Sequence, residues 1–367
     1  MINLSFFPSR RLAFYMVKLF LTRSLAVLFA LILVLMTLDL LGEAGKILAV
    51  PGNGDSALWH YVGLRIPVLA SRFLPFSILL GTLIAFVGLN QNSEVVAMKA
   101  AGLSAHQILA PLVVASIGIS AALFAFNEGV VVNSSRVVNA WSNNDYKPIP
   151  AASGVLSNIW LLKGDDLVRA GIVSGRGDHM RLDQVSIYNR TGGILQQVVT
   201  APTAMPDPAS GGWVLQKAQV YDASMNVVRR YPEMKAFAGI MPNEFTIAKV
   251  DPTELDYWTL KSRIAELKAA GRPADEARAG LAHKISQPLS MLLMPLLAAV
   301  AAFGLARSGQ VLMRAALGMA LGFTYFVADN FSLAMGNAGA YPPMIAAWAP
   351  FFLFLLIGET VLVRTEE

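Results

Sequence analysis

Two textures alternate along the chain: long apolar runs, and short segments in which apolar and polar positions take turns. A bilayer core of about 30 Å takes about 20 mostly apolar residues in helix. Six runs meet that length, at roughly 14–40, 66–90, 104–127, 281–304, 312–335 and 343–363. Pro75, Pro111, Pro288, Pro295 and Pro350 lie inside them. Kinks are expected there, tolerated where neighbouring helices satisfy the freed carbonyls.

After Val132 the text turns polar, rich in Gly, Asn, Asp and Ser, and breaks into short alternating runs. "NIWLLKG", "DDLVRAGIVSG", "RLDQVSIYNR", "GILQQVVTA", "GGWVLQKAQVYDA" and "PEMKAFAGI" each read as a strand. "NRTGG" and "DPASGG" supply turns. Strands at such spacing predict an antiparallel sandwich or roll. The segment "DPTELDYWTLKSRIAELKAAGRPADEARAG" predicts a helix that starts near the Asp251-Pro252 cap and breaks at Gly271. The fold class expected is therefore a membrane α-helical protein of six transmembrane helices, three plus three, around an inserted all-β domain. The expected divisions are 1–131 (three spans, with a short helix at 91–103), 132–250 (β domain), 251–280 (connecting helix) and 281–367 (three spans).

Composition supports a lipid setting: 55% of the 367 residues are hydrophobic and 14% charged, with a mean hydropathy of +0.54. The net charge of +5 is scattered, without the basic tract that nucleic acid would need. Cysteine is absent, which excludes disulfides and thiolate metal sites. Arg10, Arg11, Lys18, Arg23, Lys99, Arg307, Arg314 and Arg364 fall on one side of the predicted spans, against Lys46 in the short connections opposite. By the positive-inside rule both termini and the "SEVVAMKAAG" segment are cytoplasmic, and the 128–280 insert lies outside. "SRRLAFYMVK" looks like a twin-arginine signal, but the apolar run behind it is too long and lacks a cleavage site; its arginines read as cytoplasmic anchors.

Catalytic patterns are missing. The Gly45-Lys46 pair lacks the rest of a phosphate-binding loop, and no Gly-x-Ser-x-Gly elbow occurs. His60, His106, His179 and His283 are far apart, which argues against a metal site. No motif for ATP hydrolysis and no cofactor or metal site is found in the pattern, so none is expected of this chain.

"SEVVAMKAAG", residues 93–102, is a short amphipathic helix between two spans, with Ser93 placed to cap its start and Gly102 its end. Such a helix either turns the chain at the interface or engages a separate ATPase. This motif, with the layout and with "ISQPLSMLLMPLLAAVAAFG" and "LGFTYFVADNF" as later spans, resembles the LptF/LptG family of lipopolysaccharide-export permeases over nearly the whole chain. "VDPTELDYWTLKSRIAELKAAG" favours the LptG branch. The resemblance implies an inner-membrane subunit with a periplasmic jellyroll, lipopolysaccharide as substrate, and LptF, an LptB ATPase dimer and LptC as partners. ATP and Mg would be bound by LptB alone.

Carried onto this sequence, Glu94 becomes a polar contact to the ATPase, with Val95, Val96, Met98 and Ala101 as docking residues. A cavity for phosphorylated lipid needs cations near headgroup level, and Lys46, Arg65, Arg72 and Lys284 lie near the outer ends of spans; each can equally be a snorkelling anchor. Family members carry lysines at the end of the first span. Here Met36, Gly42 and Glu43 stand there and only Asp39 keeps the pattern, which displaces a phosphate site to Arg65 or Arg72, or implies a substrate of different charge pattern. Asp329, inside a span, is expected to face a cavity, a partner or a neighbouring helix. The resemblance implies a lateral gate between the first and fifth spans. Gly318 and Gly322, at small-xxx-small spacing, fit it or fit ordinary packing within one subunit. The alternatives are an LptF-type permease, a self-contained secondary transporter, and a membrane-anchored periplasmic enzyme.

Overall fold

A computed structural model describes residues 8–148, 156–175, 177–207, 212–223, 226–236, 240–242, 245, 250–269, 273–303 and 311–364. The first two spans are longer than hydropathy alone predicts. Helix α1 (Arg10–Leu48) has 39 residues and α2 (Asp55–Gln91) has 37. At about 1.5 Å per residue each reaches more than 50 Å, well past a bilayer core. Ser9 caps α1 by accepting from the Leu12 N–H, and Asp55 sits in the first turn of α2, where the helix dipole favours a carboxylate. The two helices cross closely at Gly81, where an added Cβ would fall on the backbone of Ser24.

Helix α3 (Glu94–Ala100) and α4 (Ala105–Phe126) follow. Here the predicted boundary at 132 fails. A wide π turn at Asn127–Val131 carries α4 into α5 (Val132–Asn143), and the first described strand starts at Leu156. The polar text just after Val132 belongs to an amphipathic helix, with Asn133, Ser142 and Asn143 exposed. Its other side, Val132, Ser135, Val138 and Trp141 among others, is buried at helical spacing.

The six predicted strands are present: β1 Leu156–Lys163, β2 Asp166–Ser174, β3 Arg181–Thr191, β4 Ile194–Asp207, β5 Gly212–Asp222 and β6 Val227–Ala236. They pair in chain order, every pair antiparallel. The long crossing connections that define a jellyroll are not among the described residues; the described sheet is a meander. The β3–β4 turn takes Gly192 and Gly193 at positive φ, as a two-residue hairpin turn requires. One face of the sheet buries a core around Trp213, Leu215, Ile159 and Phe245. The Trp213 indole N–H donates to the Ile240 carbonyl at 2.9 Å.

The connecting helix α6 runs Tyr257–Ala269. It starts later than the Asp251-Pro252 cap predicts, because Asp251 closes a turn on Thr253 while Asp256 caps α6, accepting from Trp258 and Thr259. The break expected at Gly271 lies outside the described residues. Helix α7 (Asp275–Leu289) and α8 (Leu293–Phe303) are separated by a tight turn at Ser290–Leu292. The expected fourth span is thus interrupted just after Pro288, which has no N–H to give to the helix. Helices α9 (Val311–Asn337) and α10 (Pro343–Arg364) complete the chain. Among the described residues, α1, α2, the α4–α5 rod and α10 are long and apolar enough to cross a membrane. The shared core of the bundle joins Phe20, Phe86, Ile108, Leu297, Tyr325 and Phe354.

Candidate functional site

Helix α3 is held at both ends by local chemistry. At its C-terminus the Leu103 N–H donates to the Met98 carbonyl and the Gly102 N–H to the Lys99 carbonyl, with Gly102 at φ +84°. This is a Schellman ending, and Met98 and Leu103 supply its apolar contact in the bundle core. Ser104 then opens α4 with a reciprocal capping box to Gln107. The start differs from expectation: Ser93 stands at φ 57° and makes no side-chain cap bond.

The helix divides its candidate docking residues in two. Val95 and Met98 are 4% and 8% exposed and belong to the core of this chain. Within this chain they are already covered. Val96 is 65% exposed, and Ala101 is exposed beside it. Glu94, half-buried, accepts from the Tyr15 hydroxyl of α1 at 3.4 Å and from the Asn92 amide at 3.5 Å. Close by, a His106 ring nitrogen meets Glu359 at 3.2 Å, tying α4 to α10.

The sheet end of the bundle is built from paired charges. Arg65 makes a forked contact to Asp39, both bonds at 3.0 Å, and Tyr61 donates to the same carboxylate at 2.6 Å. Lys46 pairs with Glu43 at 2.8 Å, and Glu43 also accepts from Tyr146 at 2.7 Å. Burial and the Glu43 carboxylate beside it push the Tyr146 hydroxyl up to about 12, so it stays a donor. Lys284 pairs with Glu128 at 2.8 Å, with the two side chains 12% and 18% exposed. The other Glu128 oxygen accepts from the Tyr257 N–H at the start of α6. Asn127, next to it, links Ser71 of α2 to Gln287 of α7. His283 holds Asp329 at 3.0 Å, which gives that carboxylate a neighbouring helix as its partner.

Of the cations expected to meet substrate, Arg65, Lys46 and Lys284 are thus each committed to a carboxylate, and Arg72 is exposed. A model of the lipopolysaccharide export system permeases LptF/LptG matches residues 14–364.

The chain belongs to the LptF/LptG family.

It is 27% identical to the lipopolysaccharide export system permease protein LptG of Escherichia coli strain K12, over 317 residues that cover 83% of this chain and 84% of that protein. To the protein of the same name from Haemophilus influenzae it is 23% identical, over 86% of this chain and 89% of that one. The family is a permease component of a lipopolysaccharide export system, a multi-pass membrane protein with a β domain.

In this LptF/LptG chain the glycine pair packs inward. Gly318 and Gly322 are both buried, and a Cβ on Gly322 would strike the Leu79 side chain of α2. Gly322 therefore serves packing within the subunit, while the face of α9 left open carries Phe323, Val327 and Phe331. Sequence reasoning missed Glu128, Asn127, Tyr61 and Tyr146. A signal existed for the first two: "FNEG" puts an amide and a carboxylate beside a glycine at the end of an apolar run.

Proposed function

We propose that this chain is the LptG-type permease subunit of an ABC transporter, paired with an LptF-type permease and driven by a cytoplasmic LptB-type ATPase dimer. The observation that carries the reading is the division of α3. Its outer side offers Val96 and Ala101, and its inner side plants Val95 and Met98 among the spans. A push on the outer side of such a helix moves the core it is seated in, because close-packed interiors transmit displacement.

In this reading both termini and α3 face the cytoplasm, and the six spans stand three plus three around a periplasmic jellyroll. ATP and Mg are bound by the ATPase, and closure of its dimer on α3 tilts the spans. Lipopolysaccharide enters a cavity between the two permeases from the outer leaflet and rises towards the β domains and LptC. The first and fifth spans form the lateral gate towards the partner permease; the exposed aromatic and aliphatic side chains of α9 suit that face better than its glycines. Arg72 is the candidate cation left for substrate phosphate, since Lys46, Arg65 and Lys284 are each paired with a carboxylate. Co-purification tests the reading. The affinity-tagged chain is expected to bring down an ATPase subunit and a second permease, and Glu94→Lys to lose the ATPase while still inserting. Recovery of the chain alone, or undiminished ATPase recovery and export with Glu94→Lys, would sink the coupling role.

A further inference from the structure

The sheet turns a second, polar face away from its core. Directly opposed residues share a face, and one row crosses all the strands: Trp160, Arg169, Ser186, Thr200, Gln219 and Arg230. The neighbouring row adds Tyr188 and Tyr221. Trp160 and Tyr188 lie stacked, 5.9 Å between ring centres and 18° apart, and the Arg169 guanidinium sits over the Trp160 ring at 5.8 Å. Trp160 is exposed while Tyr188 and Tyr221 are half-buried, and aromatic surface beside hydroxyls and amides suits a polyol, whose faces are apolar and whose rim is hydrogen-bonding.

This face walls an open cleft of about 400 Å³ at the junction of the sheet and the bundle. The bundle side contributes Asp145 and Lys147, just past α5, and the Gln184 amide bridges the two by donating to Asn144 at 2.6 Å. Lys147, Arg169 and Lys217 outnumber the one acid, Asp145, which itself faces Lys147 at 3.5 Å. Lys217 stands at φ 52° and Gln184 at φ 54°, a region that side chains other than glycine rarely take. Strand pairing lapses between Lys217 and Pro202, which has no N–H for the ladder. Gln184 and Lys217 thus flank Pro202 from its two neighbouring strands, and the irregular ladder there carries both into the wall of the cleft.

We propose that this cleft binds an anionic saccharide, with Lys217 and Arg169 on the charged groups and Ser186, Thr200 and Gln219 on hydroxyls. The inference rests on the transport reading, which makes the sugar portion of the substrate its natural occupant as lipid leaves the bundle. The probe is the deacylated, phosphorylated oligosaccharide obtained from lipopolysaccharide by alkali, titrated onto the assembled complex in nanodiscs. Lys217→Gly removes the cation and suits the backbone, so the fold is kept while affinity falls about tenfold, as loss of a charge-assisted contact implies. Lys217→Arg should stay within about threefold of wild type by keeping that charge. Unchanged affinity in Lys217→Gly overturns the site, as does absence of binding by the wild type. Inorganic phosphate competing as well as the oligosaccharide would reduce it to an anion site and overturn the saccharide. Extraction of lipopolysaccharide from vesicles is scored separately. Export without oligosaccharide binding removes this site alone, and binding without export leaves the site standing while the transport reading falls.

Discussion

The two ends of the bundle solve opposite problems. At the α3 end the chain is fastened mainly by its own backbone, through a Schellman ending and a capping box, and apolar Val96 is left uncovered. At the sheet end side chains do the fastening, with Asp39–Arg65, Glu43–Lys46 and Glu128–Lys284 drawn together from different turns and helices. Backbone fastening leaves side chains free for a partner. Charge pairing consumes them, and it fixes geometry at the cost of tolerance to change.

The largest effect is therefore expected at the sheet end. Lys284→Met strands the half of a pair that is nearly out of water, and should lower stability by about 3–5 kcal/mol. Thermal unfolding of the purified complex measures this, and adding Glu128→Gln should restore most of it. Between the two ends, Gly322→Leu drives a side chain into Leu79 and is expected to cost about 1–3 kcal/mol. Combining it with Leu79→Ala should recover part of the loss; no recovery would mean that the clash lies elsewhere. At the α3 end, Gly102→Ala forces a Cβ into φ +84° for about 1 kcal/mol. Its larger consequence should be weaker ATPase co-purification, because the helix loses its stop.

The smallest effect is a pH dependence outside the spans. Burial opposes the charge on Asp256, but hydrogen bonds from Thr259 and Trp258 outweigh it and hold the carboxyl below its ordinary 3.8. A lowered folded value means that the contribution is present above 3.8 and fades as pH falls through the folded value. Asp256→Asn should flatten that acid limb of the stability curve slightly and leave neutral pH nearly unchanged.

How far the sequence showed all this depends on the range of the forces involved. Strand alternation, the apolar runs and the glycine that stops α3 are local, and each was legible. The junction at 132 was misread because an amphipathic helix leaving the membrane has the same composition as the start of a soluble domain. Val95 and Met98 looked like docking residues for a related reason: a seven-residue helix shows which positions are apolar, but not which side is already covered. The pairing of Asp39 with Arg65 requires the register between two helices, and hydropathy does not carry register. The six strands were all foreseen, but the connections that would make them a jellyroll were not something alternation could specify.

The π turn at Asn127–Val131 has a consequence for the shape of the third helix. Along the sequence the buried positions Ser116, Ser120 and Leu123, then Ser134, Val138 and Trp141, keep nearly one helical beat. The extra residue in the wide turn rotates everything after it by about 100° around the axis. One uninterrupted rhythm is thereby aimed in two directions, towards α8 and the core below the turn and towards α2 and β1 above it. The turn is a torsional offset written into a continuous helical rod. Deleting Gly129, whose surroundings are open, would remove that offset and swing Trp141 out of its place, twisting the platform from which the sheet departs.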